Sequence, residues 1–470
     1  MAVLAAKYRY RPDNSAQQDS DANNLLRSLA LVGAVAFIPA TTASLAQVDA
    51  NSYREIDQFM SVLERVKAEY VDQVDDATLI RGAIDGMLNS LDPHSSYLDE
   101  NGFRSLMTTT DGNYGGLGLT VTMEDGAVKV IAASRETPAD RAGIKSGDFI
   151  THIDGQLFYG GTLDEAVERM RGAPGTSVRL TVVRPGRERP FDVSITRAII
   201  DIPAVRSEVR DRVGILTVTT FNRNTTEATQ RAMTEIERQL GGPPLGYILD
   251  LRSNPGGLLD QAVGLSDLFL ERGEVVSQRG RRRTDIERYY ARPGDAAKGV
   301  PMIVLVDAGS ASAAEIVAAA LQDHRRAIVM GERTFGKGSV QTLIPLGSGD
   351  TALRLTTARY FTPSGRSVQE GGIAPDIIVP QLTDPDYQSR NNVRESDLRR
   401  HLINEIGVQE DLIQNDGRPD PRFTLTAAQL AERHITDYQL YYALQTIARL
   451  SRVAPAPQIA ATAGRRSASR

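Results

Sequence analysis

"PMIVLVDAGSASAAEIVAAALQDHRRAIVMGE" (residues 301–332) decides the fold. It opens on an unbroken apolar run, passes through a loop of small residues into an alanine-rich helical stretch, and ends on a second apolar run closed by glycine. Two strands apolar along their whole length, with a helix between them, predict parallel strands buried on both faces and joined by a crossover. "LGYILDLRSNPGGLLDQAVGLSDLFL" (245–270) repeats the pattern, with a tight Pro-Gly-Gly turn between strand and helix. Loops leaving the carboxyl ends of such strands are where sites are built.

The rest of the chain frames this α/β core. With 470 residues, 41% of them hydrophobic, it can bury more than one core. A net charge of -5 supplies no general footprint for nucleic acid. The basic run "RGRRRTDIERYYARPG" (279–294) reads as a solvated hairpin. Cysteine is absent, which excludes disulfides, thiol nucleophiles and thiolate metal sites. "LLRSLALVGAVAFIPATTASLAQ" (25–47) places an arginine before an apolar run, a proline and small residues ending at Ala46. That is an export signal after a long leader (1–46), with a retained membrane anchor as the alternative.

Residues 47–108 read as helical. Ile56, Phe59, Val62, Leu63 and Val66 form one apolar stripe, and a second helical stretch ends at "LDPHS", where Pro93 forbids continuation. His94 reads as a turn-capping residue. From 109 to 197 short β-type runs broken by glycine take over: a glycine turn "GLGL" (116–119), a hairpin at "EDG", and the amphipathic helix "TLDEAVERMRG" (162–172). After the core (198–382), residues 383–470 are polar and helical, with Leu440, Tyr441, Leu444 and Ile447 on one side of a helix and a basic tail from 454.

Three chemistries compete for "GERTFGKGS" (331–339), which holds one of six lysines. A phosphate loop fails, because Gly338 stands where a hydroxyl is needed and the β-branched stretch that follows is stopped by Pro345, leaving no helix to hold a phosphate. A histidine triad fails, because none of the five histidines has a companion motif. A serine activated by a neutral lysine remains, with Ser312 at a strand-to-helix corner where amides and dipole favour an oxyanion. Taken alone, Ser310 or Ser312 reads first as a helix cap.

In combination, "GSASAAEI", "GERTFGKGSVQ" and "DLRSNPGG", preceded by the PDZ-like order of 109–197, resemble the carboxyl-terminal processing (tail-specific) proteases from about residue 50 to about 380. The resemblance implies a crotonase-like core with an inserted PDZ domain and helical segments at both ends. It also implies Ser312 as nucleophile, Lys337 as general base, Gln341 as its positioning partner, and oxyanion amides from Ala313 and from Gly256 or Gly257. In the PDZ-like domain, amides of Gly116, Leu117, Gly118 and Leu119 would take a substrate's terminal carboxylate. Its last side chain would meet Leu119, Val121, Leu163, Val167 and Met170. Arg171 would couple that domain to the core. Asp307 and Ala314 depart from the family's usual asparagine and serine, at no catalytic position.

The expected function is an exported, periplasmic or membrane-anchored serine endopeptidase that needs no metal or cofactor. Its expected partners are protein substrates with free apolar C-termini, an adaptor, and a second copy met through the terminal helices. An exported non-catalytic PDZ scaffold would keep the PDZ-like text and dispense with Ser312 and Lys337. A crotonase-type acyl-CoA enzyme would not explain the PDZ-like insertion or the export signal.

Overall fold

The computed structural model describes residues 50–347, 349–384, 387, 392–407 and 422–453. The expected export signal and the basic tail lie outside them. Contacts divide the chain near residue 89. The smaller unit holds α1 (Ala50–Glu69) and most of α2 (Asp76–Asn89). Of its stripe, Ile56, Phe59 and Val62 are exposed, and Leu63 and Val66 are half-buried.

The larger unit begins with β1 (Ser96–Leu98), α3 (Glu100–Asp111) and β2 (Asn113–Gly116). The PDZ-like segment follows as β3 (Leu119–Glu124), β4 (Ala127–Ala133), α4 (Pro138–Arg141), β5 (Phe149–Ile153), β6 (Gln156–Leu157), α5 (Leu163–Met170), β7 (Ser177–Val183) and β8 (Phe191–Thr196). Its strands form an antiparallel sheet in the order β3-β4-β5-β7-β8, so β3 is an edge whose outer backbone groups are unpaired within the sheet. Thr162 caps α5 in a reciprocal capping box with Glu165. Both ends of the segment meet in a two-stranded ribbon, where β2 pairs with β9 (Ala198–Asp201). Ala at position 115 is forbidden there, because a Cβ would sit 2.2 Å from the Gly172 carbonyl oxygen.

The core continues as β10 (Val205–Arg210), β11 (Val213–Val218), α6 (Thr225–Leu240), β12 (Tyr247–Asp250), α7 (Leu259–Asp267), β13 (Gly273–Gly280), β14 (Ile286–Ala291), β15 (Met302–Val306), α8 (Ala313–Asp323), β16 (Ile328–Gly331), β17 (Ser339–Leu346), β18 (Thr351–Phe361) and β19 (Ile377–Ile378). One sheet runs β10-β11-β12-β15-β16-β19, parallel from β11 onward. Alternate side chains serve two cores. Leu216, Leu249 and Val304 pack with the helices α6 to α8. Ile215, Ile248, Ile303 and Leu305 pack with α9 (Ala427–Glu432) and α10 (Tyr438–Val453). Leu440 and Ile447 are therefore buried against the protein's own sheet. The C-terminal stripe, expected to be an association surface, is consumed inside the fold because the second face of an all-apolar sheet must be covered.

A second, antiparallel sheet runs β1-β18-β13-β14, with β17 also on β18. The basic run 279–294 forms the β13–β14 hairpin, with Arg281, Arg282 and Arg283 exposed at its turn.

Candidate active site

The β15–α8 loop delivers Ser312 to the first turn of α8. Its φ of 59° is a left-handed conformation that a serine adopts only when its surroundings force it. The residue is fully buried, and its Oγ makes no hydrogen bond among the described residues. Ser310 differs: its hydroxyl accepts from the Asp307 N–H at 2.9 Å and donates to the Leu251 carbonyl at 2.8 Å, closing the loop. Asp307 also accepts from the Ser253 N–H at 2.7 Å, which locks this loop to the one after β12.

Lys337 lies in the loop before β17 and is 4% exposed. Its amine has no hydrogen-bond acceptor among the described residues. Burial, aided by the Arg354 charge, pulls that amine down to about 8, against the carboxylates of Glu395, Glu315 and Asp92. Gln341 follows on β17 at a β-bulge, a device that re-aims side chains. Its Nε2 donates to Ser339 Oγ at 3.0 Å and Thr356 Oγ1 at 3.1 Å, while its Oε1 is buried without a donor.

Two side chains missed in the sequence hold the serine and lysine loops together. Glu315, fully buried, accepts the N–H of Ser312 at 2.7 Å and of Lys337 at 3.0 Å, both on Oε2. Its Oε1 accepts from Thr334 Oγ1 at 2.5 Å and the Gly336 N–H at 2.7 Å. Burial pushes this carboxyl up to about 7 despite those donors. The Tyr360 hydroxyl contacts the carbonyls of the same two residues, Ser312 at 3.1 Å and Lys337 more closely. The Ser-x-x-Glu spacing of a capping box was the available signal for Glu315. Tyr360 left none.

The Pro-Gly-Gly turn packs directly on the serine. A Cβ at Gly256 would lie 2.8 Å from the Ser312 Cβ and 3.0 Å from the Ala313 nitrogen. The Gly256 N–H is committed to Asn254 Oδ1 at 2.8 Å. The N–H groups of Gly257 and Ala313 donate to nothing among the described residues, so of the two glycines only Gly257 has an amide to offer.

Lys337 lines a cavity of about 370 Å³ with His94, Arg354, Phe335, Ala311 and Gly309. The expectation for His94 needs correction. It does not cap the turn; Asp92 Oδ1 does, accepting the His94 N–H at 2.8 Å. The ring Nε2 meets both oxygens of the buried Glu395, at 3.0 and 2.8 Å. This companion carboxylate lies 301 residues downstream in a featureless polar stretch, where no motif could reveal it. Among the described residues no group of three or more His, Cys, Asp or Glu side chains is arranged to hold a metal ion.

In the PDZ-like domain the N–H groups of Leu117 and Gly118 donate to nothing among the described residues, and Gly118 holds a φ of 79°. Leu119 and Val121 on the edge strand and Val167 on α5 are half-buried, and Leu163 is exposed. Leu117 and Met170 are buried in the domain core, and Gly116 is the last residue of the ribbon strand β2. Arg171 ends α5 and lays its guanidinium 4.8 Å from the ring centre of Tyr114, on the same strand.

Comparison with known proteins agrees with this architecture. The model of peptidase family S41 matches residues 212–379, that of the PDZ domain 129–184, and that of the activating protease CtpB N-terminal domain 37–102. The carboxy-terminal-processing protease of Bartonella bacilliformis is 46% identical over 80% of this chain and 88% of its own length. The carboxy-terminal processing protease CtpB of Bacillus subtilis is 34% identical over 75% of this chain and 72% of its own. The solved photosystem II D1 C-terminal processing protease is 28% identical, covering 73% of this chain and 98% of that one with a TM-score of 0.41. The chain belongs to the carboxy-terminal processing proteases, serine peptidases of family S41 that carry a PDZ domain.

Proposed function

We propose that this protease acts in the exported compartment, captures the free apolar C-terminus of a protein substrate in its PDZ domain, and cleaves by a Ser312–Lys337 dyad. One observation carries the reading. Among the described residues two buried polar atoms at the core of the site lack a hydrogen-bond partner, the Ser312 Oγ and the Gln341 Oε1, and the amine of Lys337, a residue only 4% exposed, meets no acceptor. Buried polar groups are almost always satisfied, so orphans gathered on two adjoining loops call for a reaction.

In the proposed scheme the neutral Lys337 amine takes the Ser312 Oγ proton as Oγ bonds to the scissile carbonyl carbon. The N–H groups of Ala313 and Gly257 hold the oxyanion. The ammonium returns its proton to the leaving amine, and an acyl-enzyme remains. Lys337 then deprotonates a water that attacks the ester, and the proton goes back to Oγ. Gln341 Oε1 accepts a hydrogen bond from the amine and aims it. The free amides of Leu117 and Gly118 suit a terminal carboxylate, and the edge of β3 suits strand addition. The exposed stripe of α1 is the proposed surface for a second copy or an adaptor.

Cleavage of a tagged protein with an apolar tail tests the reading. The wild-type chain is expected to cleave it and Ser312→Ala to leave it intact. Cleavage by Ser312→Ala, free of contaminating protease, would overturn the dyad.

A further inference from the structure

Arg354, on β18, is a cation in the wall of the catalytic cavity beside Lys337 and His94. Only its Nε has a partner, donating to the His94 carbonyl at 3.1 Å. Its two terminal amino groups have no hydrogen-bond or ion-pair partner among the described residues. The nearby carboxylates are already engaged. Asp92 accepts from the N–H groups of His94 and Ser95 and from the hydroxyls of Ser95 and Thr356, at 2.7 to 3.0 Å. Glu395 is held by His94 and by the Gln369 side chain at 3.1 Å.

A guanidinium partly removed from water, anchored through one nitrogen and with two more unpartnered in the wall of a cavity, is a fork for a planar anion. Burial lowers its pKa, and Asp92 offsets part of that. A carboxylate brought by a substrate would supply the missing partner.

We propose that Arg354 forms a carboxylate-binding subsite inside the catalytic cavity, which reads a substrate carboxylate close to the bond that is cut. The inference rests on the proposed cleavage site and adds a specificity element separate from the PDZ domain. Two sources share the chemistry: an Asp or Glu side chain flanking the scissile bond, and the α-carboxylate of a short tail ending just beyond it. The anion would also draw the proton equilibrium of Lys337 upward, since it offsets the positive charge that opposes protonation there.

The test uses the full chain and peptides with one apolar tail and one mapped cleavage position. In the first arm each residue flanking the bond is Glu or its isostere Gln. In the second the peptide ends one to three residues beyond the bond as free acid or amide. The readout is the ratio of kcat/KM, acid over neutral isostere. One arm is expected to show a ratio of about tenfold or more in the wild type, carried mainly by KM, which names the source. Arg354→Gln is expected to bring the first arm's ratio to about one, or to lower the second arm's ratio to what capture of the tail by the PDZ domain alone leaves, and Arg354→Lys to retain part of the difference. A wild-type ratio near one in both arms overturns the proposal, whether or not Arg354→Gln folds. So does an unchanged ratio in a folded Arg354→Gln. Failure of the cleavage reading looks different: Ser312→Ala would then turn over acid and neutral peptides alike.

Discussion

The amides of Ser312 and Lys337 end on a single oxygen, Oε2 of Glu315, at 2.7 and 3.0 Å. The proposed nucleophile and base are thus placed relative to each other by one buried carboxylate. Glu315→Gln keeps the shape but gives up one acceptor, leaving two amides to compete or go unpaired at about 1–3 kcal/mol each. The expected result is a fall in kcat of about a hundredfold or more, with tail peptides still bound normally in a fluorescence titration. Wild-type kcat in the folded variant would show that the two loops hold their positions without it.

Lys337→Arg is expected to abolish turnover, a loss on the order of a thousandfold, because a guanidinium cannot release its proton. In the wild type kcat/KM should rise with pH through about 8, since only the neutral amine is a base. The same residue bears on stability. A lysine pKa lowered in the fold makes the charged form the costly one, so the penalty is full below about 8 and fades as pH climbs toward the unfolded value. Lys337→Met should therefore stabilise the fold at pH 7 by on the order of 2 kcal/mol, read as a higher midpoint of thermal unfolding.

Gly256→Ala brings a Cβ within 2.8 Å of both the Ser312 Cβ and the Ala311 carbonyl oxygen, at a backbone φ of 96°. About 1–3 kcal/mol of stability should be lost. Hydrolysis should fall by about a hundredfold, as the oxyanion amides move. Calorimetry and peptide cleavage read the two effects separately.

Amidation of a substrate's C-terminus removes the charge that the free amides of Leu117 and Gly118 suit. Cleavage of an amidated tail should be slower by about tenfold or more than of the free acid. Equal rates would remove carboxylate capture from the account.

Arg171 contacts Tyr114 on the ribbon between PDZ domain and core. Arg171→Ala is expected to lose most proteolysis while binding tail peptides as tightly as the wild type, and Tyr114→Ala to do the same. Full activity in both variants would assign the contact to local packing.

How much of this was legible in the sequence follows from how local each signal is. The all-apolar runs of β12, β15 and β16 could be read directly as a parallel sheet, while the Ser, Lys and Gln positions lie within short motifs that became dyad candidates through their combined resemblance to a family. The glycine choice could not, because the Gly256 N–H is withdrawn by Asn254, a fact of loop geometry alone. Nor could the cavity wall. His94, Arg354 and Glu395 come from three distant segments, each unremarkable by itself. Leu440 and Ile447 misled for a related reason: an amphipathic helix shows that an apolar face is covered, never by what.

The pairing of His94 with Glu395 also bears on biosynthesis. A chain grows from its N-terminus, so Ser312, Lys337 and Gln341 all exist before the residue that braces His94 in the wall of the cavity beside Lys337. Until Glu395 is made, the His94 ring and the Gln369 amide lack this acceptor. The wall of this cavity is finished last, and a protein-cutting enzyme still emerging from the ribosome is one whose His94 is not yet braced.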